Sequence, residues 1–366
     1  EEKFEDFNPI PLASASIGQV HLAKLNNERY EPDQFQVAVK IQRFNIHEII
    51  TTDLSALAVV ARWIMRYPTI SKRANIPALL EEFSASLFEE VDYLHEGKNA
   101  ELFAQNFSGR KNEVIVPRVI WSHTTTRVLT LEYLSAIKIT DYGAIEAAGI
   151  PLANVAERLF DTYLKQIFED HFFHADPHPG NLFVKPDPDG DTQNWKLVFV
   201  DFGMTGVVPD LLLARLRDML IALATRDAGR IVKAYQALGV LLSGANLDLL
   251  EKATAKVFER FWGKTAPEMM KMHHREAVAF VAEFGDLIYE MPFQVPENMI
   301  LLVRCLGILS GMCTGLNIEF NVWTSLMPYA QQLVESEKGS KIDVILKEIQ
   351  RFLAVMLTLP YKTDSL

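Results

Sequence analysis

The chain has 366 residues, 49% apolar and 23% charged, which excludes a disordered polymer and allows one two-lobed domain or two domains. A net charge of −11 excludes a general nucleic-acid binder, whose surface would be basic, while leaving room for a local basic groove. Two cysteines, Cys305 and Cys313, cannot build a disulfide framework, so a reducing compartment is expected.

The sequence opens at Glu1 with no Met, signal or transit pattern, and reads as a fragment. Residues 1–45 read as strands. In Phe35-Gln36-Val37-Ala38-Val39-Lys40-Ile41 the apolar residues alternate, which sends Lys40 and Ala38 to the face opposite Val39 and Ile41. A Lys beside a small neighbour suits a ligand cleft; alone, it would read as a solvent-facing Lys. A helical period covers 47–66 and stops at Pro68. A second helical region is predicted over 77–107, with Leu80, Phe83, Leu87, Val91 and Leu94 on one stripe. It carries Glu90-Val91-Asp92-Tyr93-Leu94-His95-Glu96, where Asp92 and Glu96 would share a face. These acids fit either a solvated face or, for Glu96, an ion pair to Lys40.

Strands are predicted at 114–119 and 127–133. At Leu131-Glu132-Tyr133-Leu134 the chain is expected to leave the sheet for a helical region, a hinge whose backbone could bond an adenine edge. An amphipathic helix over 154–171 presents Val155, Leu159, Tyr163, Ile167 and His171 on one face. Leu182–Val184 and Leu197–Val200 read as a hairpin around the acidic turn 186–191, which lacks a calcium-loop pattern. From Pro209 onward the pattern is helical. The apolar run 299–315 is short for a span and contains Arg304, so it reads as a buried helix; the apolar tail 352–359 is too short to cross a bilayer.

The sharpest signal lies between 174 and 203. His174-Ala175-Asp176-Pro177-His178-Pro179-Gly180-Asn181 is followed by two apolar runs and Asp201-Phe202-Gly203. This is the order of parts in enzymes that move the terminal phosphoryl of ATP: one Asp near the accepting oxygen, an Asn five residues later, and a second Asp opening a DFG triplet. Phosphoryl transfer asks for metal ions held against phosphate oxygens and a nucleophile held in line. Asp176 is thus the expected catalytic-loop Asp, with Asn181 and Asp201 as Mg2+ ligands. His174 and His178 lie four apart, but a loop with two prolines is a poor frame for a zinc pair, and His174 reads as structural. Phe202 is expected to pack beneath the cleft.

These residues resemble the UbiB/AarF family of atypical kinases. Pro11-Leu12-Ala13-Ser14-Ala15-Ser16-Ile17-Gly18-Gln19-Val20-His21 is similar to that family's alanine-rich loop, which stands where protein kinases carry a glycine-rich one. Val37–Gln42 resembles its phosphate-binding Lys strand, Glu90-Val91-Asp92 its regulatory ExD motif, and Glu96 its helix Glu. The resemblance implies an α+β, bilobal protein-kinase-like fold: a small antiparallel-sheet N-lobe over 1–133 and a large, mainly helical C-lobe over 134–366. It implies catalytic roles for Asp176, Lys40 and Glu96. It implies ATP or ADP held by Ala13, Ser14, Ala15, Ser16, Ile17, Gly18, Gln19, Val20, Ala38, Lys40, Glu132, Leu134, Asn181 and Asp201, with Mg2+ on Asn181 and Asp201. Alanine side chains in the loop narrow the approach of backbone N–H groups to phosphates, so an altered nucleotide preference and weak protein phosphorylation are implied.

The implied setting is isoprenoid-quinone biosynthesis or lipid handling, with a lipid, quinone precursor or quinone-biosynthesis protein as partner, on the cytoplasmic side and peripheral to a membrane. Family members carry a Lys-x-Gly-Gln extension that folds over the cleft; this sequence has none, which reads as a fragment starting after it. Two alternatives stand beside a phosphotransferase or ATPase. One is a nucleotide-binding pseudokinase switch or scaffold. The other is a small-molecule kinase of the aminoglycoside or choline type, against which the Ala13–Gln19 segment and the ExD pattern argue.

Overall fold

The computed structural model describes residues 4–14, 17–26, 36–67, 76–110, 113–262, 284 and 292–335. The alternation around Lys40 is realised as strand β4 (Gln36–Gln42), with Val37 and Val39 buried on one face. Strands β1 (Phe4–Phe7), β3 (Gly18–Leu25), β4 and β6 (Val128–Glu132) form an antiparallel sheet in the order β1-β3-β4-β6, and β2 (Ala13–Ser14) pairs with β3. Lys40 stands opposite Val20 on one neighbour and Leu129 on the other. Ala23, Leu25, Val37 and Val39 pack with Phe4, Phe7 and Ile41 as a small core on this sheet.

Helix α1 (Ile46–Ile64) buries Ile46 and Ile50 against Ile17 and Val91, whereas Leu57 is exposed. The single helix predicted over 77–107 is in fact two, α2 (Ile76–Glu90) and α3 (Tyr93–Asn106). The break has a local cause. Asp92 is extended, and its carboxylate accepts the Leu94 N–H at 3.0 Å, so it caps a new helix instead of continuing the old one.

The strand predicted over 114–119 is shorter, β5 (Val114–Ile115), with Val119 making an isolated bridge to Leu131. After β6 the chain forms β7 (Ile137–Lys138) before helix α4 (Tyr142–Ala147), so it enters a second sheet and not directly a helix. That sheet runs β5-β10-β9-β7, where β9 (Leu182–Lys185) and β10 (Lys196–Phe199) are the predicted hairpin and β5 runs parallel to β10. A third pair joins β8 (Phe172–His174) to β11 (Thr205–Val207).

Helix α5 (Leu152–Phe168) buries Val155, Leu159, Tyr163 and Ile167, as their spacing requires. It stops before His171, because the Lys165 carbonyl takes the N–H groups of both Glu169 and Asp170 and His171 turns to φ 56°. The large core gathers α5 with Leu212, Leu216, Leu302, Cys305 and Leu309, and it also takes in Ala100, Phe103, Phe107 and Val114. At roughly 1.5–3 kcal/mol per fully buried large apolar side chain, this cluster dominates the stability of the molecule. Helices α6 (Asp210–Ala224), α7 (Ala228–Leu238), α8 (Leu247–Phe261) and α9 (Ile300–Leu316) follow. Among the described residues no helix is long and apolar enough to cross a membrane. The tail 352–359 lies outside the described residues.

Candidate active site

Three residues far apart in sequence meet at one ammonium. Lys40 Nζ lies 2.9 Å from both carboxylate oxygens of Glu96 and 3.0 Å from Asp201 Oδ2. The strand sends Lys40 off the small core, the Asp92 cap sets where α3 starts and so where Glu96 points, and the turn after β10 delivers Asp201. Tyr93 adds its ring 5.1 Å from the ammonium. Glu96 is 1% exposed and Lys40 13%, while a third of Asp201 remains open to solvent. Burial alone would lower the Lys40 pKa, but Glu96 first and Asp201 next outweigh it and raise it above the ordinary range. For Asp201, burial pushes upward, yet the charge of Lys40 and its hydrogen bond hold the carboxyl below its ordinary value. Lys40 and Asp201 are therefore both ionised at neutral pH.

Asp201 sits at φ 63°, the left-handed region that Asp tolerates better than most residues. Two hydrogen bonds hold it there. The Gly203 N–H donates to Oδ1 at 3.3 Å, and His174 Nε2 donates to the Asp201 carbonyl at 2.8 Å. His174 is fully buried, and burial lowers its pKa, so the ring is neutral with the proton on Nε2; its Nδ1 has no hydrogen-bond partner among the described residues. Phe202 is buried against Phe103 and His174, and Asn99 donates to its carbonyl at 3.2 Å.

On the loop 174–181, Asn181 Nδ2 donates to Asp176 Oδ2 and to the Asp176 carbonyl, each at 3.2 Å. The Val200 N–H donates to the Asn181 carbonyl at 3.0 Å, which sets Asn181 beside Asp201 at the open end of the hairpin. The other Asp176 oxygen, Oδ1, accepts Arg304 Nη2 from α9 at 2.9 Å.

Of the expected loop, Ala13 and Ser14 form β2 on Val20 and Gln19, whereas Ala15 and Ser16 lie outside the described residues. Ile17 is buried, and Gly18 has a close-approach reason: a Cβ there would stand 2.6 Å from both the Ile41 carbonyl oxygen and the Tyr93 hydroxyl. Ala38 neighbours Lys40 between Leu22 and Leu131. At the hinge, Glu132 N–H bonds the Arg118 carbonyl and its carboxylate takes Arg118 Nε at 3.2 Å, while the Leu134 N–H has no partner among the described residues. Asp92 acts as a helix cap, and the Glu90 side chain lies outside the described residues. Sequence reasoning missed Tyr93, Asn99 and Arg304. Arg304 alone left a trace, as the single charge inside an apolar run.

The donor set fits a divalent hard cation. Asp201 Oδ1 accepts only the Gly203 N–H, and Asn181 Oδ1 accepts no hydrogen bond among the described residues, so a carboxylate and a carboxamide oxygen stand ready.

Residues 1–235 match the family model described as the ABC1 atypical kinase-like domain. The uncharacterized protein sll1770 of Synechocystis is 34% identical over 92% of this chain and 54% of its own length. In Arabidopsis thaliana, the chloroplastic protein ACTIVITY OF BC1 COMPLEX KINASE 8 is 28% identical over 96% of this chain and 48% of its own. The chain thus spans about half the length of these relatives. Rv3197 of Mycobacterium tuberculosis, solved with erythromycin, shares the fold at 20% identity and TM-score 0.57, over 86% of this chain and 75% of its own. With the motifs in order and the model covering most of the chain, the protein belongs to the ABC1 atypical kinase family, the UbiB family that its sequence resembles.

Proposed function

We propose that this chain is a nucleotide-dependent phosphotransferase or ATPase, with ATP or ADP bound between the strand bearing Lys40 and the loop bearing Asp176. The observation that carries the reading is the Lys40 ammonium shared by Glu96 and Asp201. In this reading Lys40 grips nucleotide phosphates, and Glu96 positions it by holding the ammonium from behind. Asn181 and Asp201 would hold Mg2+, whose charge, when bound, neutralises phosphate oxygens. The segment from Ala13 to Val20 covers the phosphates, Ala38 lines the pocket, and the hinge at Glu132 and Leu134 borders the base. Asp176 orients an accepting oxygen and receives its proton at Oδ1 or Oδ2. The acceptor class we propose is a quinone precursor or lipid at a membrane surface, with Glu90 and Asp92 as a regulatory pair.

One observation favours a second reading, a nucleotide-gated switch: both oxygens of Asp176 are already engaged, by Asn181 and by Arg304. Mg2+-dependent phosphate release, measured with and without lipid or phenolic quinone-precursor mimics, separates the two. The enzyme reading predicts release by the wild type and loss of at least about 100-fold in Asp201→Asn. Release that persists in Asp201→Asn contradicts it, and nucleotide-induced thermal stabilisation without turnover supports the switch.

A further inference from the structure

Helix α9 lies outside residues 1–235 that match the family model, yet two of its consecutive residues touch the end of β8 and the loop that follows it. Arg304 Nη2 donates to Asp176 Oδ1 at 2.9 Å, and Arg304 Nη1 lies 3.2 Å from Met204 Sδ. Cys305 is fully buried, and its Sγ lies 3.5 Å from the His174 carbonyl oxygen. Leu302 and Leu309 anchor the same helix in the large core, so the guanidinium is presented by a fixed support. Asn181 holds Oδ2 and the backbone carbonyl of Asp176, the His178 N–H donates to the same carbonyl at 2.6 Å, and no side chain among the described residues other than Asn181 and Arg304 bonds its carboxylate. A loop containing Pro177, Pro179 and Gly180 has no helix or ladder of its own to fix a carboxylate.

We infer that Arg304 is a positioning residue: it holds the Asp176 carboxylate in its working rotamer and ties the loop 174–181 to α9. The inference rests on the phosphoryl-transfer reading for its effect on turnover, but its structural half stands without it. A charge-assisted hydrogen bond is stronger and more directional than a neutral one, so a guanidinium suits this task better than an amide. The Arg304 side chain is 43% exposed and that of Asp176 27%, so the pair is reachable from solvent.

The test compares the wild type, Arg304→Lys and Arg304→Gln in the full chain. Hydrogen exchange of the backbone amides of Ala175, Asp176, His178, Gly180 and Asn181 is read beside the thermal unfolding midpoint, and kcat and KM are read with Mg-ATP. In Arg304→Gln the expected result is faster exchange in the loop at an unchanged midpoint. Turnover is expected to show a kcat lower by ~10- to 100-fold, from misplacement of Asp176, with KM for ATP within about twofold. Arg304→Lys should recover part of both effects. Loop exchange unchanged in Arg304→Gln overturns the inference, as does a kcat loss of equal size in both variants without any change in the loop. If the wild type releases no phosphate, the functional reading fails separately, and loop exchange alone decides the role of Arg304.

Discussion

Lys40 illustrates how a buried cation is held by more than one anion. Its ammonium faces Glu96 on one side and Asp201 on the other, and Glu96 is almost wholly withdrawn from water. Removing the cation strands that carboxylate. Lys40→Met should therefore cost roughly 3–5 kcal/mol in urea unfolding, and adding Glu96→Gln should return most of the loss. Equal stability of the single and double variants would contradict the pairing. His174 gives a pH signature. Burial lowers its folded pKa below that of the unfolded chain, near 6.5. Below that pH the unfolded chain binds a proton that the folded one does not, so stability falls as pH drops. The wild type should lose up to about 1.4 kcal/mol per pH unit more than His174→Gln between pH 6.5 and the lower folded value. Identical pH slopes would contradict a buried neutral ring. The Asp201 carboxyl acts further down, since its stabilisation is lost only as pH falls below the ordinary carboxylate range, near 3.9.

At the level of elements, what was legible depended on whether a pattern was local. The alternation through Val37, Val39 and Ile41 named the strand and the side Lys40 takes, because period two is written in adjacent residues. The motifs from Asp176 to Asp201 were legible because their spacing is tied to a hairpin. The break between α2 and α3 was misread, because an Asp on an acidic helix face and an Asp at a cap look alike until the backbone turns. Arg304 was invisible as a partner because Asp176 lies 128 residues away, and only packing brings them together. The cap is testable. Asp92→Ala should cost ~1 kcal/mol while Asp92→Asn costs only a few tenths, since Asn also caps well. A large loss of nucleotide response in Asp92→Asn, without loss of stability, would instead support a regulatory role for its charge.

For the whole molecule, the small sheet and the large core meet around the site. Lys40 comes from the antiparallel sheet, Glu96 from a helix whose later residues Ala100 and Phe103 enter the large core, and Asp201 from a turn beside Phe199 in that core. Asp201 and Glu96 are thus positioned by one body of packing and Lys40 by the other. A change that shifts the sheet against the core would therefore pull the ammonium away from Glu96 and Asp201 together. The most direct test of the account is a crystal structure of the chain with Mg2+ and a non-hydrolysable ATP analogue. The account predicts metal density on Asp201 and Asn181, with the Lys40 amine on the phosphates and Glu96 still behind it. A nucleotide bound away from Lys40 and Asp201, or crystals that exclude it at saturating concentration, would contradict the account.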